Sequence, residues 1–210
     1  MNPIVELPTG PVARAALAAV TGSESVSVAN HSIRSFLFAE LLAAHEGSTT
    51  DADYNRDLLF AACAMHDLGL GDRAPGEQRF EVEGADLAAE ILTANGVGAA
   101  DVDRVWEAIA LHTSAGIAER RGLLAYLTRA GVGIDFGRGA EIVMTHEHSI
   151  HEAFPRLEMA RALTDAIVDH ATRSAAAGAG YSLPGEVLRE RRTNGISGLE
   201  LGAAASVWGS

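Results

Sequence analysis

Apolar residues recur at spacings of three and four residues along almost the whole chain, which is the period of an α-helix. The clearest segment follows His31 and carries apolar side chains at Ile33, Phe36, Leu37, Leu41 and Leu42. Residues 57–65 are apolar on almost every side, and this predicts a central helix that is buried all round. Alternating apolar and polar runs, which indicate strands, are scarce. The sequence therefore predicts an all-α fold.

Capping and turn residues divide the chain into a series of predicted helices. These helices lie at residues 11–20, from 30 or 31 to 46, and at 57–65, 83–94, 101–111, 119–130 and 156–173. Residues 69–79 hold three glycines and one proline, so they predict a loop. The stretch 145–151 predicts a turn, and we do not expect its histidines, His146, His148 and His151, to bind metal.

The same pattern predicts three parts: an N-terminal helix and lead-in over residues 1–29, a main domain over 30–173 and a C-terminal tail over 174–210. The tail is rich in small residues, which predicts a segment packed on the surface or on a partner. It could mediate a homodimer, and Trp208 near its end favours docking over disorder.

Charge and composition narrow the predicted partners. The net charge is −12, from 16 basic and 28 acidic side chains, so we expect a small-molecule substrate and no nucleic-acid polymer. No apolar run reaches the roughly 18 residues that cross a bilayer, so we expect no membrane association. Glu6 and the prolines beside it do not suit a secretory signal, and Cys63 has no second cysteine to pair with. These features predict a cytoplasmic protein.

An adjacent histidine and aspartate, His66 and Asp67, stand at the end of the central apolar helix. Neighbouring residues in mid-helix point about 100° apart, but at a helix end such a pair can converge on one ion. The dipeptide alone is weak support for a metal site. It gains weight because three more candidate residues occur elsewhere in the chain, at His31, His112 and Asp135.

Four blocks then follow one another in a characteristic order: NHSIRSFLFA, AMHDLGL, RFEVEGADLAAEIL and AIALHTSAGIA. Between about Asn30 and Arg173, the chain resembles the HD-domain superfamily of metal-dependent hydrolases, and within it the cyanamide hydratase-like branch. The resemblance implies a helical bundle with a metal site between its central helices. It also implies that four residues are the metal ligands: His31, His66, Asp67 and Asp135.

Two imidazoles and two carboxylates suit one divalent transition-metal ion, with zinc favoured and iron or manganese also fitting. Such an ion lowers the pKa of bound water to about 7 and so supplies a nucleophile at neutral pH. Without the other three ligands, His31 would be interpreted as a polar residue at a helix start. Asp135 would be interpreted as an acid in a turn.

Further candidates surround this set. His112 is either an acid or base beside the metal, a ligand to a second metal, or an imidazole stabilised by the end of its helix. Arg79, Phe80 and Glu81 form either a lid over the site or a solvated turn. Arg34 binds an anion near the metal, lies in solvent or pairs with an acid elsewhere. We predict His112 and Glu81 as the residues that shuttle protons, and Arg34, Arg79 and Phe80 as substrate contacts.

Several activities are compatible with this pattern. The favoured one is a hydrolase or hydratase that adds metal-activated water to a small substrate such as cyanamide or a nitrile. The alternative is a phosphohydrolase acting on a nucleotide or another phosphomonoester, but nucleotidases of the superfamily carry an acid where this chain has Leu70. A two-iron oxygenase would need more histidines than His112 between Asp67 and Asp135. A silent binding module is disfavoured by the complete ligand set.

Overall fold

The computed structural model describes residues 6–209, and these residues form ten α-helices, short 3-10 turns and no strands. The all-α prediction is confirmed. Residues 1–5 of the predicted lead-in and Ser210 of the predicted tail lie outside the described residues. The helices are α1 (Pro11–Ser23), α2 (Val26–His45), α3 (Arg56–Met65), α4 (Phe80–Ala94), α5 (Ala99–Leu111), α6 (Leu123–Asp135), α7 (Glu147–Ala153), α8 (Met159–Ala171), α9 (Leu183–Asn194) and α10 (Gly198–Ala204).

Two helices begin or end away from their predicted boundaries in ways that matter for the site. Helix α2 starts at Val26, because the Ser25 hydroxyl caps it by accepting a hydrogen bond from the backbone N–H of Val28. His31 therefore lies inside α2 rather than at its start. Helix α6 continues to Asp135, so this residue closes a helix and does not stand in a turn. The stretch predicted as a turn contains α7.

The core is built around α2 and α3. Residues Leu58 to Met65 of α3 are all buried, as predicted from their apolar character. Helix α2 packs against α3 on one side and α6 on another. The contact with α6 is unusually close, because a Cβ atom added to Gly131 would lie 2.1 Å from the backbone oxygen of Ser35. Only glycine allows the two backbones to approach in this way.

The C-terminal region, predicted as a tail, contains α9 and α10, which pack against α8 and against each other. Arg191 of α9 joins the three helices, because its guanidinium pairs with Asp165 of α8 and with Glu200 of α10. Beyond α10, the indole N–H of Trp208 donates a hydrogen bond to the backbone oxygen of Ile134 at 2.6 Å. None of the helices within residues 6–209 has the length and apolar character needed to cross a bilayer.

Candidate metal centre

His31, His66 and Asp67 meet between α2 and the C-terminal end of α3, and each is almost fully buried. His66 caps α3, and the backbone of Asp67 has already left the helical conformation, with φ −102° and ψ 7°. This local change lets two adjacent side chains point at the same place. The Nε2 atoms of His31 and His66 lie 3.2 Å apart. Asp67 Oδ2 lies 3.1 Å from His66 Nε2 and 3.7 Å from His31 Nε2.

The hydrogen bonds behind the two imidazoles fix which nitrogen faces the cluster. His66 Nδ1 lies 2.7 Å from the backbone oxygen of Cys63, which can only accept, so Nδ1 carries the proton. His31 Nδ1 lies 2.6 Å from Asp135 Oδ2 and donates to that carboxylate. In the neutral rings, both Nε2 atoms then present lone pairs to each other. Asp67 Oδ2 is buried beside them without a hydrogen-bond partner in residues 6–209.

Three electron-pair donors that converge without a donor hydrogen between them suit a bound cation. Ligands that each lie about 2.0–2.1 Å from one tetrahedral zinc ion are separated by about 3.3 Å, close to the three distances found here. The direction of the pKa shift of His66 also favours a bound cation. Burial by itself lowers the pKa of His66, but the Asp67 carboxylate outweighs it and raises that pKa. Asp67 therefore favours positive charge at His66, whereas burial lowers the pKa of His31; it is the three converging donors that fit a divalent metal ion.

Asp135 lies behind His31, and its carboxylate is held by two arginines. Arg34 donates from Nε to Oδ1 at 2.8 Å and from Nη2 to Oδ2 at 2.7 Å, and Arg156 Nη1 donates to Oδ1 at 3.1 Å. Burial opposes ionisation of Asp135, but Arg34 outweighs it and holds the carboxyl pKa well below its usual range. The ionised carboxylate thus orients the His31 ring, the arrangement in which a second carboxylate supports a metal-binding histidine.

His112 completes the polar side of the site. Its Nδ1 donates to the backbone oxygen of Ile109 at 2.6 Å, so its Nε2 lone pair faces Asp67 Oδ1 at 3.8 Å. Burial, followed by the nearby His66, lowers the pKa of His112 to about 4. The imidazole is therefore neutral at physiological pH and can accept a proton at Nε2.

A cavity of about 490 Å³ opens beside these side chains. His31, His66, Asp67 and His112 form its polar end. Most of the remaining wall is apolar and includes Phe80, Phe136, Leu163 and Ile167. Such a volume and lining are typical of sites that enclose small organic molecules.

A family model described as the HD domain matches residues 28–177, which is more than half of the chain. The chain belongs to the HD domain family. Members of this family are typically metal-dependent hydrolases, and the match covers all the residues of the cluster described above. A search of curated proteins found no match.

The four ligands predicted for the HD domain do not all lie in one group. His31, His66 and Asp67 form the cluster, whereas Asp135 contacts His31 from behind. The predicted four-residue ligand set stays a prediction. In this geometry, Asp135 is the residue that positions His31, and His112 Nε2 is the additional nitrogen on the cavity side.

Only two of the five residues predicted as substrate contacts or proton shuttles line the cavity. Phe80 and His112 line the HD-domain cavity, but Arg34, Arg79 and Glu81 do not. Arg34 is fully buried and occupied by Asp135, which favours a supporting role over a substrate contact. Arg79 pairs with the buried Glu81 at 2.6 Å. Glu81 also accepts a hydrogen bond at 2.7 Å from Thr113, whose side chain does line the cavity.

Several residues near the site gave no signal in the sequence. Both carboxylate oxygens of Glu24 are buried without a hydrogen-bond partner among the described residues. Burial, followed by the charge of Asp67, raises the Glu24 pKa well above its usual value. Glu24 lies in the short loop between α1 and α2, and the sequence there is typical of a loop exposed to solvent. Arg156, which follows Pro155 in the sequence, likewise gives no sign there of its contact with Asp135. The histidines at 146–151 lie outside the cluster.

Proposed function

We propose that this HD-domain chain is a metal-dependent hydrolase or hydratase that adds water to an uncharged electrophilic carbon, as in cyanamide or a nitrile. The observation that carries the proposal is the cluster of His31, His66 and Asp67 facing a largely apolar cavity. Arg34 and Arg79 pair with Asp135 and Glu81 and do not line the cavity, so no arginine lies at its polar end among His31, His66, Asp67 and His112. The polar end of the cavity therefore suits a neutral reacting group better than a multiply charged one.

The residues of the chain supply distinct parts of this chemistry. When bound, a divalent ion would act as a Lewis acid and bring the pKa of water down to about 7. His112 is neutral and its Nε2 faces the cluster, so it can accept a proton as water attacks and return it to the product nitrogen. Thr113 connects the cavity to Glu81 by a hydrogen bond, which offers a path for proton exchange. Phe80 contacts His112 edge-on and restricts water around it.

A phosphohydrolase is the second candidate because two arginines, Arg129 and Arg138, line the cavity. Arg129 is partly engaged, since it pairs with Glu119 and donates to the backbone oxygen of His112. Arg138 is exposed, and its guanidinium has no hydrogen-bond or ion-pair partner within residues 6–209. Leu70 stands where related nucleotidases have an acid, and this weakens the candidate.

The test combines metal analysis with a direct comparison of substrates. Purified protein is loaded with zinc, iron or manganese, and kcat/KM is measured for cyanamide, a series of nitriles and a panel of nucleoside monophosphates. We expect about one ion per chain and hydration of cyano compounds well above phosphate release. His66→Ala should remove most of the ion and the activity, whereas His146→Ala, outside the cluster, should retain both. Efficient monophosphate hydrolysis without hydration of any cyano compound would establish the second candidate instead.

A further inference from the structure

The cavity is much larger than the smallest substrate of the proposed reaction class. Its volume is about 490 Å³, whereas one water molecule takes a share of about 30 Å³ in the liquid. Cyanamide has three non-hydrogen atoms and would leave most of this space unfilled. Cavities of roughly 300–1,000 Å³ usually enclose ligands with a substantial organic body.

One wall of the cavity is formed by the C-terminal region that follows the family match at residues 28–177. The residues that α10 and the turn after it contribute recur at intervals that place them on one helical face. They are Gly198, Leu199, Gly202, Ala203 and Ser206. Four of these five are small residues, so this face leaves space in the cavity that larger side chains would fill.

This wall is held in place by specific contacts. Ser197 and Glu200 form a capping box at the start of α10, and Glu200 also pairs with Arg191 at 2.7 Å. After α10, Trp208 stacks on Phe38 with its ring nearly parallel and donates to the backbone oxygen of Ile134. A wall fixed at both ends can discriminate between substrates by shape, because adapting it would break these contacts.

A second part of the lining, against which Leu199 of α10 packs, supplies an apolar surface for the body of a substrate. Phe80, Leu163 and Ile167 are almost fully buried, and Phe136 lies edge-on to His31. A molecule whose reacting group lies at the histidine cluster would therefore extend along this surface towards α10.

We propose that α10 determines substrate specificity, and that the substrate carries its reacting cyano or related group on an apolar body of several carbon atoms. This inference rests on the proposed function for the reacting group, but the shape of the cavity is tested separately by binding. The ligand class is an aliphatic or aromatic nitrile rather than cyanamide itself.

The binding test uses alkyl hydroxamates, which chelate metal ions and carry chains of chosen length. Zinc-loaded protein is titrated calorimetrically with acetohydroxamate and with longer members up to octanohydroxamate. Burying one methylene contributes about 0.8 kcal/mol, so affinity should rise about four-fold for each added carbon until the cavity is full. Acetohydroxamate binding without any gain for longer chains would overturn the proposed apolar body while leaving the metal centre intact.

Three variants test the role of α10. A Cβ atom on Gly202 would meet no other atom within 4 Å, so position 202 has open space for the first carbon of a side chain and Gly202→Leu is the variant that adds bulk there. It should bind acetohydroxamate as the wild type does but stop gaining affinity at shorter chains. Leu199→Ala should extend the gain to longer chains. Ala204→Leu introduces the same side chain on the same helix outside the cavity lining and should match the wild type. An unchanged chain-length series in both Gly202→Leu and Leu199→Ala would overturn the role of α10.

Kinetics separate this inference from the proposed function. If the chain-length series holds but no nitrile is hydrated, the reaction class is wrong and the shape of the site stands. If cyanamide is hydrated more efficiently than pentanenitrile or benzonitrile, the reaction class stands and the apolar substrate is wrong. Preference for the longer nitriles, reduced in Gly202→Leu, is the expected result.

Discussion

Replacing Arg34 by methionine should strongly destabilise the fold, because this guanidinium is fully buried and serves a buried carboxylate. It makes two charged hydrogen bonds to Asp135, at 2.8 and 2.7 Å, and a third to the backbone oxygen of Phe154 at 3.0 Å. Asp135 would keep only His31 and the longer bond from Arg156. Removing one partner of a buried ion pair typically costs about 3–5 kcal/mol, and we expect a loss in that range.

The measurement is urea unfolding followed by circular dichroism, with thermal unfolding as a second readout. For a chain of this size, each kcal/mol lowers Tm by about 2–4 °C, so the expected fall is about 6–20 °C. Arg34→Lys keeps the charge but not the paired geometry, so it should lose less. It also remains measurable if the methionine variant does not fold.

A matched control is Arg104→Met, because Arg104 pairs with Asp101 on the surface and both side chains are well exposed. Such pairs contribute about 0–1 kcal/mol, so this variant should be close to the wild type. If Arg34→Met loses less than about 1 kcal/mol, or no more than Arg104→Met, the role assigned to the Arg34–Asp135 pair is refuted.

Two further predictions concern groups with displaced pKa values. His112→Ala should keep the metal ion but lose about 10²–10⁴-fold in kcat, because the variant lacks a neutral base beside the cluster. Loss of the metal ion would instead show that His112 is a ligand. An unchanged kcat would exclude a role for His112 in proton transfer. Glu24→Gln should stabilise the protein, on the order of 1 kcal/mol at pH 8, because it removes a buried carboxylate without hydrogen bonds. Since the folded-state pKa of Glu24 is raised, the wild type loses stability as pH rises above the unfolded value of about 4.3, so the advantage should shrink at pH 5. An equal advantage at both pH values in thermal unfolding would contradict this assignment.

The helices and the central histidine–aspartate pair could be predicted because their signals are local. The buried character of residues 58–65 and the break after Met65 are both readable from neighbouring residues. The end of α6 could not be predicted in the same way. Gly131 and Gly133 weaken the helical pattern before Asp135, and the helix persists because its backbone packs directly on α2.

The parts of the site that could not be predicted depend on contacts between distant positions. Arg34 and Asp135 are 101 positions apart, and no helical spacing relates them. The apolar spacing around Arg34 predicts a helix but cannot show that its guanidinium is buried. Similarly, the small residues of α10 predict a tail packed on the surface or on a partner, and their role in the site is visible only when their common face is seen against the cavity.

The contact between Gly131 and Ser35 also determines how precisely His31 and Asp135 are positioned relative to each other. Where helices are separated by side chains, a change of rotamer can alter their spacing by a sizeable fraction of an ångström. Here the two backbones touch, four residues from His31 on one helix and four from Asp135 on the other. The distance between the His31 and Asp135 side chains is therefore fixed by two rigid helical backbones. As long as Gly131 remains, substitutions elsewhere in the core can accumulate without changing the hydrogen bond between them.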